Sequence, residues 1–218
     1  MNEIPIRILS MFKARMAFII GIMVVIEFSG CESRGTDFPS GNVKSLEPGM
    51  TTEQVADTLF GPPYAEEFRK AKSVESILHY YYYESENTYT GILSQHRLYL
   101  EFADDTLNGY VFESSFPDES TDFERKPAAS LKVNLSTRRD AEKILNPPSG
   151  CVNGETNLIG AVFGKDAASK MTDSISQAWT YFYFYHVAGG VDTTKVLILY
   201  FDSSGVVKDK YYSENTKR

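Results

Sequence analysis

Cysteine, histidine and tryptophan are scarce in these 218 residues: two, three and one. Two cysteines exclude a disulfide-dense scaffold, and with so few histidines they exclude a Cys/His zinc cluster. His79, His96 and His186 fall in or beside predicted strands, with no H-E-x-x-H and no metal-ligand spacing, so neither a metal nor another cofactor is expected. A basic excess is also missing. Against 29 Asp+Glu stand 22 Lys+Arg, a net charge of −7. A phosphate-binding surface needs net basic patches, so nucleic acid is not the expected partner. The longest apolar run, residues 16–26, has 11 residues. That falls short of the roughly 20 that span a bilayer.

Aromatic residues are abundant instead. Tyr and Phe each occur 14 times, and aromatics make 13% of the chain. With 42% hydrophobic residues, the chain can build a core and is not mainly disordered. The length fits one large domain or two small ones.

The apolar run follows Lys13 and Arg15 and matches the core of a secretory signal. It leads into Phe28-Ser29-Gly30-Cys31, which resembles a bacterial lipobox. That resemblance implies cleavage before Cys31, diacylglycerol on its thiol and an acylated amine, hence stable anchoring. Glu32, where Asp would favour the inner membrane, points to the outer one. An ordinary cleaved signal and a short uncleaved anchor remain alternatives, and translation from Met11 would give a more usual signal length. Removing residues 1–30 leaves a net charge of −8. It also leaves Cys151 as the one thiol besides Cys31. Cys151 reads as a small buried hydrophobe, with an intermolecular bridge or a reactive thiol as alternatives. No local signature joins it to His186 as a thiol-protease pair.

The body repeats itself. Thr52-Glu53-Gln54-Val55-Ala56-Asp57-Thr58-Leu59-Phe60-Gly61-Pro62-Pro63 reads as a capped helix with a Pro-Pro stop. Thr137-Arg138-Arg139-Asp140-Ala141-Glu142-Lys143-Ile144-Leu145-Asn146-Pro147-Pro148 has the same form. An aromatic strand follows each, with Tyr80-Tyr81-Tyr82-Tyr83 in the first and Trp179 to Tyr185 in the second. Each half then has a hairpin, turning at residues 103–106 and 202–205. Extra residues in the second half are expected at 149–176. The expected fold class is α+β. It comprises two tandem units, each a short helical N-terminal part packed on a three- or four-stranded antiparallel sheet. The expected boundaries are 1–30 signal, 31–42 lipidated cysteine and tether, and 43–113 first unit. Residues 114–136 are then a connection, 137–213 the second unit and 214–218 a tail.

The first unit resembles a known family. Val43-Lys44-Ser45-Leu46-Glu47-Pro48-Gly49-Met50-Thr51, with Gln54-Val55 and residues 59–63, is similar to the opening of the SmpA/OmlA (BamE-like) outer-membrane lipoproteins. Phe201-Asp202-Ser203-Ser204-Gly205-Val206-Val207 is similar to that family's closing hairpin. The duplicated unit resembles the β-lactamase inhibitor protein-like fold. Phe60 is an extra residue against the family pattern, and the second unit lacks Gly-Met-Thr. The resemblance implies a periplasm-facing outer-membrane lipoprotein that is not an enzyme. It would bind an envelope protein such as a component of the outer-membrane assembly machinery. Inhibition of a periplasmic or secreted enzyme is the alternative.

Partner-binding candidates come from strand alternation. Trp179, Tyr181, Tyr183 and Tyr185 share one face, and Phe182 and Phe184 the other. Phenylalanine has no polar tip, so its face is expected under the helix and the tyrosine face exposed. Tyr80 and Tyr82 are expected at matching positions in the first unit. Packing against the sister unit is the competing role for these tyrosines.

Overall fold

The computed structural model describes residues 33–71, 74–87, 92–187 and 191–217. The signal-like segment and Cys31 lie outside the described residues. Nine strands form one antiparallel sheet: β1 (Ser33–Gly35), β2 (Ala65–Ala71), β3 (Val74–Asn87), β4 (Ile92–Ala103), β5 (Thr106–Ser114), β6 (Gly150–Asn153), β7 (Gln177–Val187), β8 (Val191–Phe201) and β9 (Val207–Lys217). From β3 to β9 the spatial order follows the chain, while β1 and β2 pair different stretches of β3. The hairpin between β4 and β5 turns on Asp104 and Asp105, with φ of 48° and 60°. Two central residues with positive φ match the twist of the flanking strands.

Directly opposed residues share a face, so the register sorts every side chain. One row runs His79, Leu100, Tyr110, Cys151, Trp179, Leu199. The opposite face carries Tyr80, Tyr99, Val111, Gly150, Thr180, Ile198.

Two eight-residue helices cover the first of these faces. Helix α1 (Glu53–Phe60) is capped by the Thr52 hydroxyl, which accepts from Val55 N–H. Its Ala56 and Phe60 pack on Tyr81, Leu98, Leu100 and Phe102. Between them, α2 (Arg125–Ser130) precedes α3 (Arg138–Leu145). Helix α3 has a full capping box, in which Thr137 and Asp140 satisfy each other's backbone N–H. Its Ala141 and Leu145 pack on Trp179, Tyr181, Leu197, Leu199 and Phe201. Gly61 and Asn146, with φ of 77° and 69°, end the two helices. The other face is covered by α4 (Leu158–Phe163) and α5 (Lys165–Ala168). Leu158, Ile159 and Ala167 bury Val152, Ala178, Phe182 and Ile198.

Where α1 and α3 begin, the hydrogen bonds recur. Gly49 N–H donates to Leu107 C=O, and Leu107 N–H to Thr51 C=O. Asn134 N–H donates to Val207 C=O, and Val207 N–H to Ser136 C=O. Asn134-Leu135-Ser136 thus stands where Gly49-Met50-Thr51 does, with φ of 61° and 88° at the first residue. The second opening differs in sequence and keeps the geometry.

Short β6 joins β5 to β7 at very close range. A Cβ at Gly150 would lie 2.3 Å from Thr180 Oγ1 and 2.5 Å from the Tyr110 carbonyl oxygen. One at Gly109 would lie 2.8 Å from Val152 Cα. Only glycine fits both places.

Three segments differ from expectation. The polar stretch expected as a tether enters the sheet as β1, and Phe38 is only 4% exposed. In the expected connection, Phe123, Ala128 and Leu131 are core residues. The expected tail extends β9 to Lys217. In each case a few apolar or β-forming residues within a polar stretch sufficed to dock it.

Aspartate at φ of 60° is tolerated but strained relative to glycine. Asp105→Gly is expected to stabilise the fold by about 0.5–1 kcal/mol, read as a higher urea midpoint at unchanged slope.

Candidate binding surface

The six expected aromatic residues do not form one surface. Trp179 and Tyr181 are 7% and 3% exposed, so they belong to the core beneath α3. Trp179 Nε1 donates to Gln177 Oε1 at 2.9 Å, and the Tyr181 hydroxyl to Asn146 C=O at 3.2 Å. The expectation placed the helix over the phenylalanine face. In fact α3 covers the Trp/Tyr face while α4 covers Phe182, with Phe163 edge-on at 5.3 Å. A sheet covered on both sides leaves little exposed at its centre.

Tyr183 and Tyr185 lie further along β7 and are half-buried. Their rings stack at 6.4 Å, Lys195 Nζ sits 5.4 Å from the Tyr183 centroid, and Lys195 Nζ bonds Asp122 at 2.7 Å. Tyr80 and Tyr82 are on the opposite face from all four. Ala65 opposes Tyr80 as Gly150 opposes Thr180, so Tyr80 and Tyr82 correspond to Thr180 and Phe182. Counting along the sequence missed this register by one residue, and one residue changes the face.

Tyr80 and Tyr82 anchor a cluster of their own beside α4. Tyr80 stacks on Tyr82 at 6.0 Å and on Tyr99 at 4.8 Å. Tyr64 stands edge-on to both Tyr80 and Tyr82 at 6.1 Å and is exposed. The Arg97 guanidinium lies 5.7 Å from the Tyr82 ring and 4.7 Å from the Phe184 ring. Such placement over ring faces is electrostatically favourable. Burial pushes the phenol pKa of Tyr80 up, and burial with the hydrogen bond to Glu84 does the same for Tyr82. Arg97, Tyr99 and Tyr64 were not singled out in the sequence, and Phe184 was expected in the core under the helix. The alternation of Arg97 and Tyr99 on β4 was the available signal.

Under Arg97 lies Glu113, fully buried on β5. Past Gly150, the first residue of β6, no strand among the described residues lies between β5 and β7, and side chains fill the gap. Glu113 Oε1 accepts Phe184 N–H at 3.2 Å, Ser149 Oγ accepts Phe182 N–H at 3.2 Å, and Thr121 Oγ1 donates to Phe182 C=O at 2.5 Å. Glu113 Oε2 faces Arg97 Nε at 3.9 Å without a hydrogen bond. Burial drives the Glu113 carboxyl up to about 8, against the opposing pull of Arg97 and the Phe184 N–H.

The histidines are absorbed structurally. His96 Nδ1 meets Glu119 Oε1 at 2.7 Å and its Nε2 meets Asp37 Oδ1 at 3.3 Å, fastening residues 37–40 to β4. His79 Nε2 lies 3.3 Å from Glu53 Oε1. His186 pairs with Asp192, whereas Cys151 opposes Trp179. Seven strand residues separate those positions, roughly 23 Å, so His186 and Cys151 form no catalytic pair. Burial raises the Cys151 thiol to about 11, which keeps it protonated near neutrality. Among the described residues, no group of three or more His, Cys, Asp or Glu converges as a metal site. Among them, too, no helix is long and apolar enough to cross a membrane.

No family model matches the chain, and no curated protein matches it. The SmpA/OmlA resemblance therefore rests on its motif residues alone. Among solved structures, the chain is similar to a Streptococcus mutans protein described as a "putative beta-lactamase inhibitor protein". The identity is 11%, the TM-score 0.42, and the match covers 79% of this chain and 93% of that one.

A carboxyl whose folded value is raised holds its proton more tightly in the folded state. Its contribution is full below about 4.5, the ordinary value, and is lost as pH rises through about 8. Stability by urea titration is therefore expected to fall across that window, by at most about 1.4 kcal/mol per pH unit from this group. Glu113→Gln is expected to flatten the slope. An unchanged slope in that variant would assign the pH dependence to other groups.

Proposed function

We propose that this chain is a non-enzymatic protein-binding module of the bacterial envelope. It is held at the periplasmic face of the outer membrane by lipid on Cys31, and it consists of two tandem copies of one unit. Each unit is a capped helix followed by a four-stranded antiparallel meander, β2 to β5 and β6 to β9. Matched registers support the duplication. Tyr81 opposes Leu98 as Tyr181 opposes Leu197, and Phe102 opposes Leu107 as Phe201 opposes Val207. Thr52 bridges Thr106 as Thr137 bridges Val206. Helices α4 and α5 are then the extra insertion of the second copy.

One observation carries the binding role: the partly open cluster of Tyr64, Tyr80, Tyr82 and Tyr99 around Arg97. Tyrosine and arginine are the residue types that dominate binding energy where partners meet. Their rings are fixed by mutual stacking, so little side-chain entropy is lost on contact.

The full chain is expected to recover outer-membrane assembly components from solubilised outer membranes. Tyr82→Ala should weaken that recovery tenfold or more, on the order of a hot-spot loss, while the melting temperature falls only slightly. Equal recovery would return Tyr82 to a purely structural role. Recovery of one soluble enzyme, with loss of its activity, would establish the inhibitor role instead.

The address has its own test. Mass spectrometry of the mature N-terminus is expected to find an acylated Cys31. An unmodified terminus at any other residue would remove the lipid anchor from the proposal.

A further inference from the structure

Strand β2 is an edge. It pairs with β3 on one side, and among the described residues no strand pairs with it on the other. Its backbone N–H and C=O groups on that side form a template for another strand. Edge strands are commonly defended by charge, and β2 carries four charges in five residues: Glu66-Glu67-Phe68-Arg69-Lys70. Their order does not repel a second copy. It reads as its own complement when reversed.

We propose that two copies of this chain associate through antiparallel pairing of their β2 edges about a two-fold axis at Phe68, making one continuous sheet across both. In that register Phe68 opposes the second copy's Phe68. Glu67 opposes Arg69 and Glu66 opposes Lys70, twice each by symmetry. Opposite charges directly across an antiparallel pair are stabilising, and like charges are destabilising. Parallel pairing in register would place Glu on Glu and Arg on Arg, so the charge order selects the antiparallel form.

Three further observations fit this occupant. Phe68 is 80% exposed, an uncommon position for a large apolar side chain at the centre of a charged strand. Opposite Ile77 it shares a face with Glu66 and Lys70, so the two Phe68 rings would meet between two ion pairs. Among the described residues, the buried Arg69 Nε finds no acceptor, although its Nη2 holds Glu67 at 2.8 Å. A second copy's Glu67 would bring another carboxylate to that guanidinium, creating a four-charge cluster on the opposite face. Within one copy Lys70 pairs with Glu75, and Glu66 approaches His79 at 3.9 Å. The Lys70–Glu75 pair is exposed, and such pairs are weak and readily shared.

Sedimentation of the full chain in density-matched detergent tests the proposal through a charge swap. Wild type is expected to sediment as a concentration-dependent dimer. Glu66→Lys with Glu67→Arg makes β2 uniformly basic. Arg69→Glu with Lys70→Glu makes it uniformly acidic. Each variant alone is expected to weaken self-association by roughly tenfold or more. Near-UV circular dichroism should match wild type, because the changed side chains are at the surface. An equal mixture of the two variants is expected to restore the dimer as a mixed pair. Wild type that stays monomeric up to ~100 µM overturns the proposal. So do variants that dimerise as wild type does, which would place the interface elsewhere, and a folded mixture that fails to restore the dimer.

Discussion

The close approach of β6 to its neighbours is the constraint on which the rest of the molecule depends. Four residues, Gly150–Asn153, form the strand between β5 and β7 among the described residues. They fit because position 150 and position 109 carry no Cβ. From that contact the register propagates to every face assignment in the sheet. It sets Cys151 opposite Trp179 beneath α3, and it leaves Thr180 and Val152 under α4. Past Gly150, where β6 starts, the backbone of β7 would lose its partners on that side. Glu113, Ser149 and Thr121 replace the missing ladder with side-chain hydrogen bonds. Leaving such groups unpaired would cost more than the bonds themselves contribute, so the polar character of the join follows from its geometry.

That geometry also sets where aromatic side chains stay partly open. Helices α4 and α5 close the middle of one sheet face, and α1 and α3 close the other. Towards the β1–β3 side, Tyr80, Tyr82 and Tyr99 stay partly open beyond α4. Arg97 ties this cluster to the join, because the same guanidinium touches two rings and faces the buried Glu113.

Much of this was legible in the residues. Thr51 or Thr52 and Ser136 or Thr137 mark the helix starts, where the structure uses Thr52 and Thr137, and Gly61 and Asn146 mark the ends, because caps are local chemistry. Both hairpins are visible for the same reason. The faces were not legible. They depend on whether α3 or α4 covers β7, which is a long-range question that periodicity along β7 does not answer. The buried Glu113 was invisible too, since a lone glutamate in a strand resembles any solvated one. Residues 33–38 read as polar, and only pairing with β3 and the burial of Phe38 made them part of the sheet.

The place where β1 begins bears on how such a molecule would behave at a surface. Ser33, two residues after Cys31, is already hydrogen-bonded into the sheet opposite Ser85. Two residues reach at most about 7 Å. On the proposed anchoring, the length of chain between Cys31 and β1 would set how far the sheet can reach from a membrane, and lengthening that chain would extend the reach.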